Sequence, residues 1–231
     1  MFYFDPLYLV MILPALLLSM WASWATRSRF EKWSRVPARS GATGASVARY
    51  VLDQNGLSDV GIVAVPGTLS DHYDPRARVV RLSEPVYYGH SISSVAVAAH
   101  ETGHAIQHAR RYAPFALRSF SVPLASIGSN LGMIIIFVGF LLSFTKIVWL
   151  GILLFGGTVL FQVITLPVEL DASSRAKKEL DRLGLVAADE RPGVASVLNA
   201  AAMTYVGAAL SALSTLAYYV LRASSMGERR R

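Results

Sequence analysis

The stretch from Pro6 to Thr26, PLYLVMILPALLLSMWASWAT, carries no charged side chain, and neither do Ser119 to Thr145 or Ile147 to Val168. A helix needs about 20 apolar residues to cross the hydrocarbon of a bilayer. In lipid the backbone must satisfy its own hydrogen bonds, so a single apolar run of that length is restricted to a helix. A fourth segment, residues 198–222, is uncharged as far as Leu221 and rich in Ala, Ser and Gly. Its small residues recur at helical spacing (Gly207 with Ser211, Ala208 with Ala212), a pattern suited to close packing between membrane helices. The balance of the whole chain agrees, with 53% hydrophobic and 16% charged residues.

The charges between these segments predict an orientation. Only Asp5 precedes the first segment, whereas Arg27, Arg29, Lys32, Arg35 and Arg39 follow it. A signal peptide would begin basic. The asymmetry predicts an uncleaved anchor with its N-terminus outside and the next loop in the cytoplasm, with Trp21 and Trp24 at that interface and Pro14 as a kink. A turn around Lys146 makes the second and third segments a hairpin over 119–168, which returns the chain to the cytoplasmic side. There Arg175, Lys177, Lys178 and Arg182 repeat the basic signal, while the terminal GERRR would end outside, against it. The net charge of +7 thus reads as a topology signal, and without interleaved aromatic and basic residues no nucleic-acid partner is expected.

Residues 27–118 are polar enough to fold in water. SGATGASVARYVLDQNG has helical periodicity through Val47, Tyr50 and Val51, with Gly56 as its stop. DVGIVAVPG and ARVVRLS (77–83) read as strands, and GTLSDHYDP between them as a turn-rich connection. The second strand is a candidate edge for an extended substrate. SISSVAVAAHETGHAIQHARR reads as a helix capped by Ser91.

HETGH, residues 100–104, carries the chemistry. Residues four apart share a helix face, so His100 and His104 can present two imidazoles to one metal. Glu101 is rotated about 100° from His100, where it can reach a water on that metal as general base. The chain has no cysteine, so a metal site must use His, Asp or Glu, and Zn2+ is the expected ion. His108 lies about 12 Å along the helix from His100, too far to share that ion. The third ligand should come from TLPVELDASSRAKKELDRLG, in the cytoplasmic segment 169–197. Glu169, just past Pro167, is the first choice. Asp171 is the second, or an outer acceptor for a ligand histidine. Tyr205 and His72 are candidate donors to an oxyanion.

LSDHYDPRARVVRLSEPVYYGHSISSVAVAAHETGHAIQ, LPVELDASSRA and LNAAAMTYVGAALSAL, in that order, resemble the YugP family of bacterial membrane zinc metallopeptidases over nearly the whole chain. The resemblance implies an enzyme of the bacterial plasma (inner) membrane and of the gluzincin type. It would place zinc on His100, His104 and a downstream Glu, with Glu101 as base. Thermolysin-like and Ste24-like enzymes place an Asp four residues after the ligand Glu, whereas Ser173 stands there here and the Asp is at 171. Both Glu169 and Asp171 therefore remain candidates.

The architecture expected is a mainly α integral membrane protein with about four transmembrane helices (6–26, two in the hairpin 119–168, and 198–222) and a small α+β zincin-like metallopeptidase module. The function expected is a zinc-dependent endopeptidase whose zinc-bound water, activated by Glu101, hydrolyses peptide bonds of membrane proteins or peptides at the cytoplasmic face of the lipid bilayer. The alternative is a non-catalytic membrane scaffold or adaptor with a structural zinc closed by four ligands.

Overall fold

A computed structural model describes residues 5–228. Arg229, Arg230 and Arg231 of the basic terminus lie outside the described residues. Among the described residues the protein is mainly helical, with four helices long and apolar enough to cross a membrane and a small three-stranded sheet. It divides into two compact units. The first holds the chain up to Trp21, Leu117–Pro167 and the chain from Thr204, and the second holds Ala22–Ala116 and Val168–Met203.

Helix α1 (Pro6–Ser34) contains Pro14 and continues through the basic run that follows the uncharged stretch. The second apolar stretch begins earlier than its uncharged run. It is made of α5 (Ala113–Ile127), a π-helical turn (Gly128–Gly132) and α6 (Met133–Leu141). Helices α7 (Thr145–Arg182) and α8 (Arg191–Glu228) each run for 38 residues. All four passages of the chain between the units fall inside α1, α5, α7 and α8.

In the first unit the hairpin closes at residues 142–144, before Lys146, which lies in the first turn of α7. Ser143 adopts φ 52° there, and the Phe144 N–H donates to the Gly139 carbonyl at 2.8 Å. Glycines bring the hairpin backbones into contact, since a Cβ on Gly151 would sit 2.7 Å from the Ile136 nitrogen, and one on Gly139 2.7 Å from the Val148 nitrogen. Such approach is how membrane helices gain packing contacts that lipid does not supply. The small residues of α8 act likewise against α1. Gly207 leaves room for Ser19, whose hydroxyl lies 3.2 Å from that of Ser211.

In the second unit, Thr43 caps α2 (Gly44–Gln54) by accepting from the Ser46 N–H, and the chain leaves at Gly56 with φ +71°, a conformation glycine adopts without strain. The sheet has the order β1-β3-β2. Strand β1 (Gly61–Val65) runs parallel to β3 (Val79–Ser83), and β2 (His72–Asp74) runs antiparallel to it. The expected turn-rich connection thus contains a strand, held by Tyr73 opposite Val80 and by an Asp74 carboxylate that accepts from the Arg76 and Ala77 N–H groups. Because β3 is central, both its edges are already paired. The expectation that it offers an edge to substrate is corrected, and the free edges belong to β1 and β2.

After the short helix α3 (Glu84–Tyr87), helix α4 (Ile92–Ala109) starts at Ser91, whose hydroxyl accepts from the Ser94 N–H at 3.1 Å. It is buried on nearly every face. Its Val95, Ala98 and Ala99 join Val47, Val51 and Leu52 of α2, Val80 and Leu82 of β3, and Val168, Ala176, Leu180, Val194 and Leu198 in one core. Each fully buried leucine there contributes about 1.5–3 kcal/mol. The chain after residue 168 therefore completes the core that residues 27–118 begin.

Candidate metal centre

His100 and His104 lie one turn apart on α4, their ring centroids 4.8 Å apart. Facing them is Glu169 of α7, whose Oε2 lies 3.2 Å from His100 Nε2 and 3.5 Å from His104 Nε2. Glu169 is 1% exposed and His104 6%. A backbone contact sets this approach, because a Cβ at Gly103 would stand 2.7 Å from the Ala172 carbonyl oxygen. Glycine between the two histidines lets α7 come close enough for a glutamate to reach both imidazoles.

The outer nitrogens are also engaged. His104 Nδ1 lies 3.0 Å from Gln107 Oε1, and His100 Nδ1 lies 3.2 Å from the Ser173 hydroxyl. Gln107 Nε2 donates to the Val168 carbonyl and to Asp171, both at 2.8 Å. Asp171 also accepts from Arg175, whose guanidinium lies over the Tyr112 ring. The structure thus brings Glu169 to the imidazoles and turns Asp171 toward Gln107 and Arg175. Ser173, four residues beyond Glu169, makes the contact to the first histidine.

Glu101 is buried on α4 beside His100. Tyr205 lies on α8 within the first unit. His72 is exposed, with Nδ1 2.9 Å from the Ser70 carbonyl. Along β2 it points opposite to Tyr73, which is buried and places its hydroxyl 2.9 Å from His108 Nδ1. His108 and Tyr73 both pack on Phe115, so His108 ties β2 to α4. Beside His72, burial pushes the Asp71 carboxyl above its ordinary pKa, against hydrogen bonds from the Ser83 N–H and hydroxyl. Sequence reasoning missed Gln107 and Tyr73. The position of Gln107, three residues after His104 on one helix face, is the signal that could have found it.

Residues 8–224 match the protein family described as "Putative neutral zinc metallopeptidase". The chain belongs to this family. It is also similar to "Putative membrane protease YugP" of Bacillus subtilis (strain 168), with 50% identity over 215 residues, covering 93% of this chain and 96% of that one. No solved structure matches. The chain is thus a membrane protein and a member of the neutral zinc metallopeptidases, whose general class is the zinc protease.

The zinc this family implies is consistent with the donors present. The candidate ligand atoms of His100, His104 and Glu169 all lie within 4.8 Å of one another. Two imidazole nitrogens and a carboxylate oxygen turned on one buried point are donor types that zinc takes, and a chain without cysteine must build its site from such groups. Three such ligands with a fourth position open is the usual plan of a catalytic zinc, whereas a structural zinc is closed by four. Among the described residues no fourth His, Asp or Glu joins this cluster.

Proposed function

We propose that this protein is a membrane-embedded zinc endopeptidase that cuts membrane proteins or peptides at the cytoplasmic face of the bilayer. The observation that carries the reading is the convergence of His100, His104 and Glu169 on one point, with Glu101 beside it on the same helix. His100, His104 and Glu169 would hold the metal. Zinc bound by these residues would supply a Lewis acid able to polarise a peptide carbonyl and lower the pKa of water toward neutrality. Glu101 accepts that proton and returns it to the leaving amine.

The substrate class is supported by the chain itself. The helix that bears Glu169 is the one whose preceding residues form the uncharged run 147–168. Arg27, Arg29, Lys32, Arg35 and Arg39 on one side, and Arg175, Lys177, Lys178 and Arg182 on the other, support a cytoplasmic site by the positive-inside rule.

Two substitutions test the chemistry. Glu101→Gln should keep bound zinc and lose peptide-bond cleavage. Glu169→Ala should lose zinc, measured as metal per chain after dialysis. Cleavage retained by zinc-loaded Glu101→Gln would sink the mechanism, and unchanged metal content in Glu169→Ala would remove Glu169 as a ligand. Substrates would be sought by comparing membrane proteomes of cells carrying the active and Glu101→Gln forms.

A further inference from the structure

We propose that Gln107 is a positioning residue that holds His104 with its proton on Nδ1 and its Nε2 lone pair free, and that Asp171 and Arg175 set the orientation of Gln107. The proposal rests on the metallopeptidase reading above and deepens it.

The argument is one of hydrogen-bond capacity. A carboxamide has one end that donates two hydrogens and one that only accepts. At one end the Gln107 amide faces the Val168 carbonyl and the Asp171 carboxylate, each 2.8 Å away. A carbonyl and an ionised carboxylate can only accept. The end facing them must therefore be Nε2, and both its hydrogens are used. A flipped amide would set oxygen against two oxygens inside a residue that is 0% exposed. This leaves Oε1 toward His104 Nδ1 at 3.0 Å, where an acceptor requires a donor. Nδ1 thus carries the proton, and Nε2 is the nitrogen turned on Glu169.

Asp171 is fixed by the Arg175 guanidinium, which the Tyr112 ring supports from one face. Tyr112 is tied back to the same glutamine by its N–H, which donates to the Gln107 carbonyl at 3.0 Å. The orienting carboxylate therefore acts on the second histidine, through a carboxamide, whereas the outer nitrogen of the first histidine meets the Ser173 hydroxyl.

The test uses the full-length protein in nanodiscs. Zinc affinity of the wild type and of Gln107→Met is measured by competition with a chromophoric chelator. Methionine keeps the length and burial of the side chain but is only a weak acceptor. Affinity should fall about 10- to 100-fold while circular dichroism is unchanged. In the cobalt(II)-substituted protein, the Nδ1–H of each bound imidazole gives a shifted, exchangeable proton line. One line should exchange slowly with water, be indifferent to Ser173→Ala, and exchange fast in Gln107→Met. Either an unchanged affinity or an unchanged exchange rate overturns the proposal. Should Gln107→Met fail to fold, the wild-type spectrum decides alone, and fast exchange of both lines overturns the proposal. His104→Ala separates the two levels. Zinc affinity intact in that variant removes the metal site itself, whereas affinity lost there and kept in Gln107→Met removes only the role of Gln107.

Discussion

Gly103 separates the two histidines on α4, and the space it leaves is filled by the Ala172 carbonyl. Gly103→Ala would force α4 and α7 apart where Glu169 reaches His100 and His104. Overpacking of this kind costs about 1–3 kcal/mol, so a lowered melting temperature and weaker zinc retention are expected together. A variant that melts and retains zinc as the wild type does would show that the two backbones can part freely. At this scale the sequence was informative where residue type and local spacing carry the geometry. HETGH gives two imidazoles a turn apart, and a glutamate just past an uncharged run stands out. It favoured Glu169 while keeping Asp171 as a candidate, because which of the two reaches the histidines depends on which way one turn of α7 faces. It was silent on Ser173 as partner of His100, a contact between residues 73 positions apart.

Elements were legible in proportion to their length. The long apolar runs announced helices, but their ends did not, since α1 and α8 continue well past the uncharged residues. The turn of the hairpin came earlier than Lys146 because helix propagation takes up the lysine into α7. Strand β2 is three residues long, too short for a period of two to emerge from its polar neighbours. Two substitutions separate packing from surface charge among these elements. Gly151→Val presses a branched side chain against the backbone of Ile136, and should destabilise the hairpin by about 1–3 kcal/mol, read as a lower thermal midpoint in detergent. Arg39→Ala removes an ion pair with Asp189 whose side chains are 69% and 60% exposed. It should change the same midpoint little, because exposed pairs contribute about 0–1 kcal/mol, and because the Arg39 N–H still donates to Glu190 at 2.8 Å.

For the whole molecule, the distribution of charge predicts orientation. Native cysteine is absent, so one introduced thiol reports without background. Arg76 is exposed in the β2–β3 turn. Arg76→Cys should resist a membrane-impermeant thiol reagent in intact cells and react once the cells are opened. Ready labelling in intact cells would place the second unit outside. That residues 168–203 share one core with the chain from residue 22 was not visible in the sequence, because they join it only after the chain has left and returned. Each of those passages lies within a helix rather than in a linker. A gene segment cut at any of them would begin or end in mid-helix, with backbone hydrogen bonds severed on both sides. Neither unit is thus a cassette that recombination could move to another protein, and a lineage carrying this centre would inherit its membrane helices with it.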